Sequence, residues 1–257
     1  MPTEFHQFQS FGYRDIRGAD SAPPPGCEMG PKSPALLGLK LLLDLQGALK
    51  GSSFAYQLLN QGNVVPTSQP KWEEDFNTAG HEHNPIDWNK VYSTPYKCTI
   101  DVKSRYFQYR YIHRILPTNE FLFKIGIVGS DKCTFCGVEK ETIKHLMWSC
   151  EKVSAFWKEV IKWLENLNFQ INLSFLEVCF GVHNMNHANF INMILIWAKK
   201  FIYKCRVQET NIAFQDFNQW VIFMQKVERF IATSKDKLGP HLLKWDPMLN
   251  FILNTSV

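Results

Sequence analysis

The sequence predicts a mainly α-helical fold. Apolar residues recur at the 3.6-residue spacing of an amphipathic helix over residues 102–116 and again over residues 153–164. Two longer helices are expected from about Ala188 to Gln208 and from about Phe214 to Ser234. With 45% hydrophobic and 20% charged residues among 257, the composition is typical of a globular chain with a sizeable core.

The amino-terminal part of the sequence is less regular. Pro23-Pro24-Pro25-Gly26 is followed by a second breaker pair, Gly30-Pro31, and this composition neither continues a helix nor pairs as a strand. Residues 1–34 are therefore predicted to be disordered. The other elements expected before residue 71 are a helix over residues 35–49, a helix over residues 53–59 and a breaker-rich link over residues 65–70.

Four side chains that can bind a metal lie within eighteen residues: Cys133, Cys136, His145 and Cys150, spaced C-x2-C-x8-H-x4-C. Thiolate sulfur and imidazole nitrogen are the ligands that Zn²⁺ prefers, and a Cys-x-x-Cys turn brings two thiolates to one ion. Four protein ligands leave no coordination position for water, so the predicted site is structural, which argues against a metal hydrolase. The alternative is four unrelated buried residues.

The segments around these four residues are expected to be short helices. Thr118 caps a helix that carries Phe121, Leu122 and Ile125 inward and stops at Gly126. Thr142 precedes a second short helix with His145. Cys150 lies about 140° further around an α-helix, so that helix must end or bend before it. Glu141 is open to two interpretations, a residue that orients a ligand or an ordinary early-helix acid.

The positive charge of the chain is segregated. Residues 97–125 carry six basic residues against two acidic ones, and residues 199–206 carry four basic residues and no acid. The whole chain has a net charge of +4, so the remaining residues sum to −4. Segregated positive charge is the expected footprint of a surface that binds a polyanion. For residues 199–206, lysines that serve solubility are the alternative.

The helix predicted over residues 102–116 has two faces. Its core face is expected to contain Val102, Tyr106, Tyr109, Ile112, His113 and Leu116, and its basic face Lys103, Phe107, Arg110 and Arg114. An aromatic ring among cations suits single-stranded nucleic acid, because bases stack on rings while charge neutralises phosphate. The candidate nucleic-acid-binding residues are Lys103, Arg105, Phe107, Arg110 and Arg114. The alternative is a solvated charged face, with Phe107 packed under a neighbouring loop.

Several classes of protein are disfavoured by the sequence. No apolar stretch approaches the roughly 20 residues of a membrane span, so no membrane association is expected. Seven cysteines without a disulfide-like pattern, and an amino terminus without a charged-then-apolar signal, argue against secretion. We therefore expect an intracellular chain, in the cytoplasm or the nucleus.

The motif and its flanks resemble a known family. The stretch FQYRYIHRILPTNEFLFKIGIVGSDKCTFCGVEKETIKHLMWSCEKVSAFW, residues 107–157, is similar to the zinc-binding region that follows the reverse transcriptase domain in LINE-type (non-LTR) retrotransposon polyproteins. The resemblance covers roughly residues 52–250 and maps the family's zinc ligands onto Cys133, Cys136, His145 and Cys150. The family's Tyr-x-Asp-Asp polymerase motif is missing, and the chain is too short for its endonuclease, so the sequence looks like a detached carboxy-terminal piece.

The resemblance completes the prediction from the sequence. We expect a helical module stapled by Zn²⁺ and followed by long helices, which binds single-stranded RNA or DNA without catalysis and works with a reverse transcriptase supplied in trans. The expected segments are a disordered or weakly helical leader over residues 1–51, a helix and linker over 52–86, the zinc-binding domain over 87–165 and a helical extension over 166–257. The alternatives are a protein-interaction scaffold and a relic reading frame with no cellular task.

Overall fold

The structure, a computed structural model, describes residues 65–77 and 85–255, with side chains as far as Leu249. Over these residues the only extended pairing is a single antiparallel bridge between Lys132 and Lys140. The helices are α1 Ser68–Asn77, α2 Trp88–Cys98, α3 Val102–Ile112, α4 Asn119–Lys124, a π-helical turn His145–Ser149, α5 Glu151–Asn166, α6 Phe175–Phe180, α7 Ala188–Gln208, α8 Phe214–Ser234 and α9 Leu238–Thr255. The prediction of a mainly α fold is confirmed. The segments predicted over 1–34, 35–49 and 53–59 lie outside the described residues.

Side-chain caps begin several of these helices. Asp87 accepts a hydrogen bond from the amide of Lys90 at the start of α2, and Asp101 accepts one from the amide of Lys103 at the start of α3. Thr118 caps α4 as expected. Each cap satisfies an amide that has no partner within its own helix, so these polar residues fix where the helices start.

The helix α7 lies at the centre of the compact unit that begins at Val65. Most of its residues are buried, including Ile194, Trp197 and Ile202, and it packs against α2, α3, the π-helical turn and α9. A helix that is apolar nearly all round belongs in a core. The helix of the expected extension 166–257 therefore packs directly on helices of the expected zinc-binding domain 87–165.

The faces predicted for residues 102–116 are only partly correct. Ile112 and Leu116 are buried as expected. Val102, Tyr106 and Tyr109, also expected in the core, are 70%, 55% and 51% exposed, whereas Phe107 is only 7% exposed. Phe107 lies beside Tyr111 and Tyr203, with ring centroids 6.5 and 5.9 Å away. Both sides of α3 carry aromatic residues. The spacing of apolar residues in the sequence therefore does not determine which side packs on α7.

The short helix α4 also differs from its prediction. Gly126 ends the segment with φ +74°, in the left-handed region where glycine is favoured, as expected. However, Phe121 and Ile125, predicted to point inward, are about half exposed, and α4 contains no buried residue. The link predicted over residues 65–70 is also partly wrong, because α1 begins at Ser68.

Besides α1, three further helices were not predicted. The helices α2 and α9 each contain an interior proline, Pro95 and Pro247, a residue that usually marks a helix boundary. The helix α6 has only six residues and begins with a capping box between Ser174 and Glu177.

Among the described residues, no helix combines the length and the apolar character that crossing a bilayer requires.

Candidate metal centre

The first two ligands lie on a tight turn closed by backbone hydrogen bonds. The amide of Cys133 donates to the carbonyl oxygen of Glu139 at 2.8 Å, and the amide of Gly137 donates to the carbonyl oxygen of Cys133 at 2.8 Å. Gly137, directly after Cys136, has φ +68°, the left-handed conformation that glycine adopts without strain. The turn therefore holds both sulfurs on one side of the chain.

The other two ligands are brought together by the π-helical turn. The amide of Cys150 donates to the carbonyl oxygen of His145 at 3.0 Å, a bond between residues five apart that defines the wider π turn. Thr142 Oγ1 accepts from the amide of His145 and starts this segment. The expectation that the helix must bend or end before Cys150 is confirmed: it widens and ends at Ser149.

The four ligand atoms form a compact cluster. The Sγ atoms of Cys133, Cys136 and Cys150 and a ring nitrogen of His145 all lie within 4.8 Å of one another. Cys133 Sγ and Cys150 Sγ are 3.9 Å apart, and Cys136 Sγ lies 3.4 Å from His145 Nε2. A tetrahedral Zn²⁺ ion with ordinary bond lengths would separate two sulfurs by about 3.8 Å, and a sulfur and a nitrogen by about 3.6 Å. The cluster therefore fits zinc.

Backbone amides stabilise the negatively charged thiolate forms of the three ligand cysteines. Two amides donate to each thiol: those of Phe135 and Cys136 to Cys133, those of Val138 and Glu139 to Cys136, and those of Lys152 and Val153 to Cys150. Burial raises the pKa of Cys136, but the hydrogen bonds outweigh it and lower that pKa to about 6. Burial dominates at Cys133 and raises its pKa to about 12, and burial also raises the pKa of Cys150. Without a cation, the three thiols therefore do not ionise together at neutral pH.

The imidazole of His145 is oriented by a carboxylate. Its Nδ1 atom lies 3.0 Å from an oxygen of Glu139, while its Nε2 atom faces the cluster. A ligating histidine commonly donates its second ring N–H to such a partner, which fixes the tautomer and the ring orientation. In this arrangement Nε2 is the metal-binding atom of His145.

A fully buried carboxylate, Glu141, lies behind the cysteine turn. Its Oε2 atom accepts hydrogen bonds from the amide and the hydroxyl of Thr134, each at 2.8 Å. Its Oε1 atom accepts from the amide of Asn119 at 2.9 Å and from Arg206 Nε at 3.0 Å. Arg206 belongs to the basic stretch over residues 199–206, but no sequence signal linked it to the metal site, because it lies 65 residues from Glu141 and is joined to it only by the tertiary fold.

The predicted nucleic-acid-binding residues have different environments. Lys103 is exposed, and Arg110 is half-buried with its guanidinium 5.8 Å from the Tyr106 ring centroid. Arg105 donates through Nε to the carbonyl oxygen of Thr99 at 2.7 Å. The ring of Phe107 is buried and so is not available for base stacking, which corrects its predicted placement.

Arg114 makes internal contacts. Its guanidinium lies 4.6 Å from the Trp72 ring centroid and pairs with Asp75 at 2.5 Å. Three of the four cations of residues 199–206, namely Lys199, Lys200 and Arg206, also have internal partners. Lys199 is buried, with Nζ 2.9 Å from the carbonyl oxygen of Cys179, and Lys200 pairs with Asp101 at 2.8 Å. Lys199, Lys200 and Arg206 therefore connect α7 to neighbouring segments of the fold.

Comparison with known proteins identifies the same region. No curated protein matches the chain. A family model described as "zinc-binding in reverse transcriptase" matches residues 54–157, which contain all four clustered ligands. This stretch is thus similar to the zinc-binding region of reverse transcriptases, and its Cys133, Cys136, His145 and Cys150 side chains form a site that can hold zinc.

Proposed function

We propose that the chain is a zinc-stabilised module that binds single-stranded nucleic acid without catalysis of its own. The observation that carries this proposal is the exposed side of α3, where Tyr106 and Tyr109 lie next to Lys103 and Arg110. We call these four residues the α3 face. The similarity of residues 54–157 to the zinc-binding region of reverse transcriptases supports the same function.

The chemistry of the α3 face suits an unpaired strand. A base can stack on an exposed tyrosine ring, and stacking contributes about 1 to 3 kcal/mol per base with little dependence on sequence. The cations Lys103 and Arg110 would neutralise phosphates along the same strand. His113, which stacks on Tyr92 with ring centroids 5.6 Å apart, continues the line of rings at the end of α3.

In this proposal the zinc ion stabilises the fold and takes no part in catalysis. Four protein ligands fill a tetrahedral shell, so no position is left for a substrate or an activated water. By the family resemblance, the nucleic acid would be the RNA or the nicked target DNA of a LINE-type element, and polymerisation would belong to a reverse transcriptase acting in trans. Such a partnership requires an intracellular chain.

A second candidate is a protein-interaction scaffold. It is favoured by the exposed apolar residues of α4 and the turn after it, namely Phe121, Phe123, Ile125 and Ile127. Surfaces of this kind commonly mark protein contacts. In this alternative the cations of the α3 face serve only solubility.

A binding titration separates the two candidates. Labelled single-stranded RNA, single-stranded DNA and duplex DNA are titrated with the zinc-loaded protein at two salt concentrations. We expect the single strands to bind more tightly than the duplex, with affinity that falls as salt rises. The Lys103→Ala, Arg110→Ala double variant should flatten the slope of log affinity against log salt by about 1.4, since each phosphate contact on a single strand contributes about 0.7.

Matched variants on another helix provide the control. Lys226→Ala with Arg229→Ala removes the same two charge types from exposed positions of α8, and Phe230→Ala removes an exposed ring there. These changes should leave binding as in the parent. The Tyr106→Ala, Tyr109→Ala variant should weaken binding with little change in salt slope. If the α3 variants bind like the α8 variants, the scaffold candidate replaces nucleic-acid binding.

A further inference from the structure

We propose that Arg206 is a positioning residue of the zinc centre, acting through Glu141 on the Cys133–Cys136 turn and thereby setting how tightly zinc is retained. Arg206 is near the end of α7, outside residues 54–157 that match the zinc-binding family. The metal ligands would then depend on a helix that the family region does not include.

The first support is the burial of the Glu141 carboxylate. Its side chain has no solvent exposure, and that of Arg206 is 11% exposed. A buried carboxylate is costly unless it is paired with a cation and its lone pairs are bonded. Arg206 supplies the cation, and Thr134 and Asn119 donate the remaining hydrogen bonds. Arg206 Nε lies 3.0 Å from Glu141 Oε1, and Arg206 Nη2 donates to Asn119 Oδ1 at 2.6 Å.

The second support is that the two carboxylate oxygens of Glu141 have different hydrogen-bond partners. Oε1 faces Arg206, while Oε2 accepts both bonds from Thr134, the residue directly after the ligand Cys133. Removing the guanidinium leaves a buried carboxylate without its cation, which favours a shift of the carboxylate from its present position toward water. That shift weakens the bonds to Thr134 and loosens the turn that carries Cys133 and Cys136.

The helix α7 supplies a natural comparison for this effect. Lys200 is also a partly buried cation of α7, and its Nζ atom pairs with Asp101 and Ser104 of the α3 start, at 2.8 and 3.0 Å. This contact links α7 to α3 and does not reach the cysteine turn. Loss of Lys200 should therefore destabilise the fold while leaving the zinc geometry unchanged, whereas loss of Arg206 should alter both.

The test measures zinc release from the folded protein. Zinc-loaded Arg206→Ala, Arg206→Lys, Glu141→Gln and Lys200→Ala variants of the full chain are mixed with excess chromogenic chelator, and the release rate is followed at a temperature below every melting transition. We expect Arg206→Ala to release zinc about 10- to 100-fold faster than the parent, because lost support of a ligand shell typically changes metal affinity by that factor. Arg206→Lys should show a smaller increase, and Lys200→Ala should remain within about twofold of the parent.

Two further readouts distinguish positioning from general stability. The visible absorption of the Co²⁺-substituted protein should change in the Arg206→Ala and Glu141→Gln variants, and should match the parent in Lys200→Ala. The double variant Glu141→Gln, Arg206→Ala should release zinc no faster than the faster single variant, because both act through one contact. Parent-like release in Arg206→Ala, or equal acceleration in Arg206→Ala and Lys200→Ala, would overturn the proposal. If Arg206→Ala does not fold, Arg206→Lys against Lys200→Ala decides by the same criterion.

Discussion

The indole Nε1 of Trp157 donates a hydrogen bond to the carbonyl oxygen of Met147 at 2.8 Å, within the buried core. Met147 belongs to the π-helical turn that carries His145, and Trp157 is on α5, which starts directly after Cys150. One side chain of α5 is therefore bonded to the segment that sets the spacing of two metal ligands. The helix α5 also packs on this turn through its buried apolar residues, and the hydrogen bond adds a polar contact between the two segments.

Trp157→Phe should lower the stability of the zinc-loaded protein. The substitution keeps an aromatic ring but leaves the buried carbonyl oxygen of Met147 without its donor, which costs about 1 to 3 kcal/mol, apart from the volume change. Thermal or urea unfolding measures the loss. Trp88→Phe is the matched control, because it removes a comparable indole bond to Glu73 at an exposed position. Equal losses of stability in the two variants would show that the hydrogen bond to Met147 contributes no more than the exposed bond to Glu73.

The metal ligands could be predicted from the sequence because all four lie within eighteen residues and their spacing is a local property. The helices α7 and α8 could be predicted for a similar reason, since each is a long apolar-periodic segment, and the structure gives the expected bounds Ala188–Gln208 and Phe214–Ser234. Cys179 is buried beside Tyr111 and Lys199, in keeping with a cysteine that has no ligand spacing.

Relationships set by tertiary packing could not be predicted. Phe107 and Tyr106 are neighbours on α3, and which of them is buried depends on where α7 lies. Likewise, the basic stretch over residues 199–206 was predicted to form part of a polyanion-binding surface. Its partners Asp101 and Glu141 lie about 100 and 65 residues earlier in the chain, so the sequence did not reveal these contacts. A count of charges along the sequence does not show which cations pair with distant carboxylates in the fold.

Cys136→Ser should abolish stoichiometric zinc binding. We expect one zinc ion per chain in the parent protein, because the described residues contain one cluster of four suitable ligands. Serine retains the size of cysteine but lacks the thiolate that zinc requires. Elemental analysis of purified protein provides the measurement, with Cys98→Ser as the control because Cys98 is buried away from the cluster. Full zinc content in Cys136→Ser would contradict the ligand assignment.

Zinc binding should release about two protons near neutral pH. With its pKa lowered to about 6, Cys136 is already a thiolate, whereas the raised pKa values of Cys133 and Cys150 keep those two thiols protonated until zinc displaces the protons. Affinity should therefore rise with pH by about two log units per pH unit between pH 7 and 8. Calorimetric titrations in buffers of different ionisation enthalpy count the protons. Release of none or of three would contradict the assigned protonation states.

Removal of zinc should lower the melting temperature and the helix content. Structural zinc sites contribute roughly 10 kcal/mol or more of folding free energy in small domains, and here the ligands connect the cysteine turn, the π-helical turn and the start of α5. Circular dichroism before and after treatment with a chelator measures the effect, and restored zinc should reverse it. An unchanged melt in protein shown to be zinc-free would mean that helix packing alone holds the module.

Arg114→Ala and Arg110→Ala should have opposite consequences, although both arginines were predicted to bind nucleic acid. Arg114 pairs with Asp75 and lies over the buried Trp72 ring, so its loss should lower the free energy of unfolding by about 1 to 3 kcal/mol. The loss should leave the salt dependence of RNA affinity unchanged, because the guanidinium is not available to phosphate. Arg110 lies on the α3 face, so Arg110→Ala should cost less than about 0.5 kcal/mol of stability and flatten the salt slope by about 0.7. Unfolding and RNA titrations on the same two protein preparations make the comparison. A flattened slope with unchanged stability in Arg114→Ala would place Arg114 in contact with the strand.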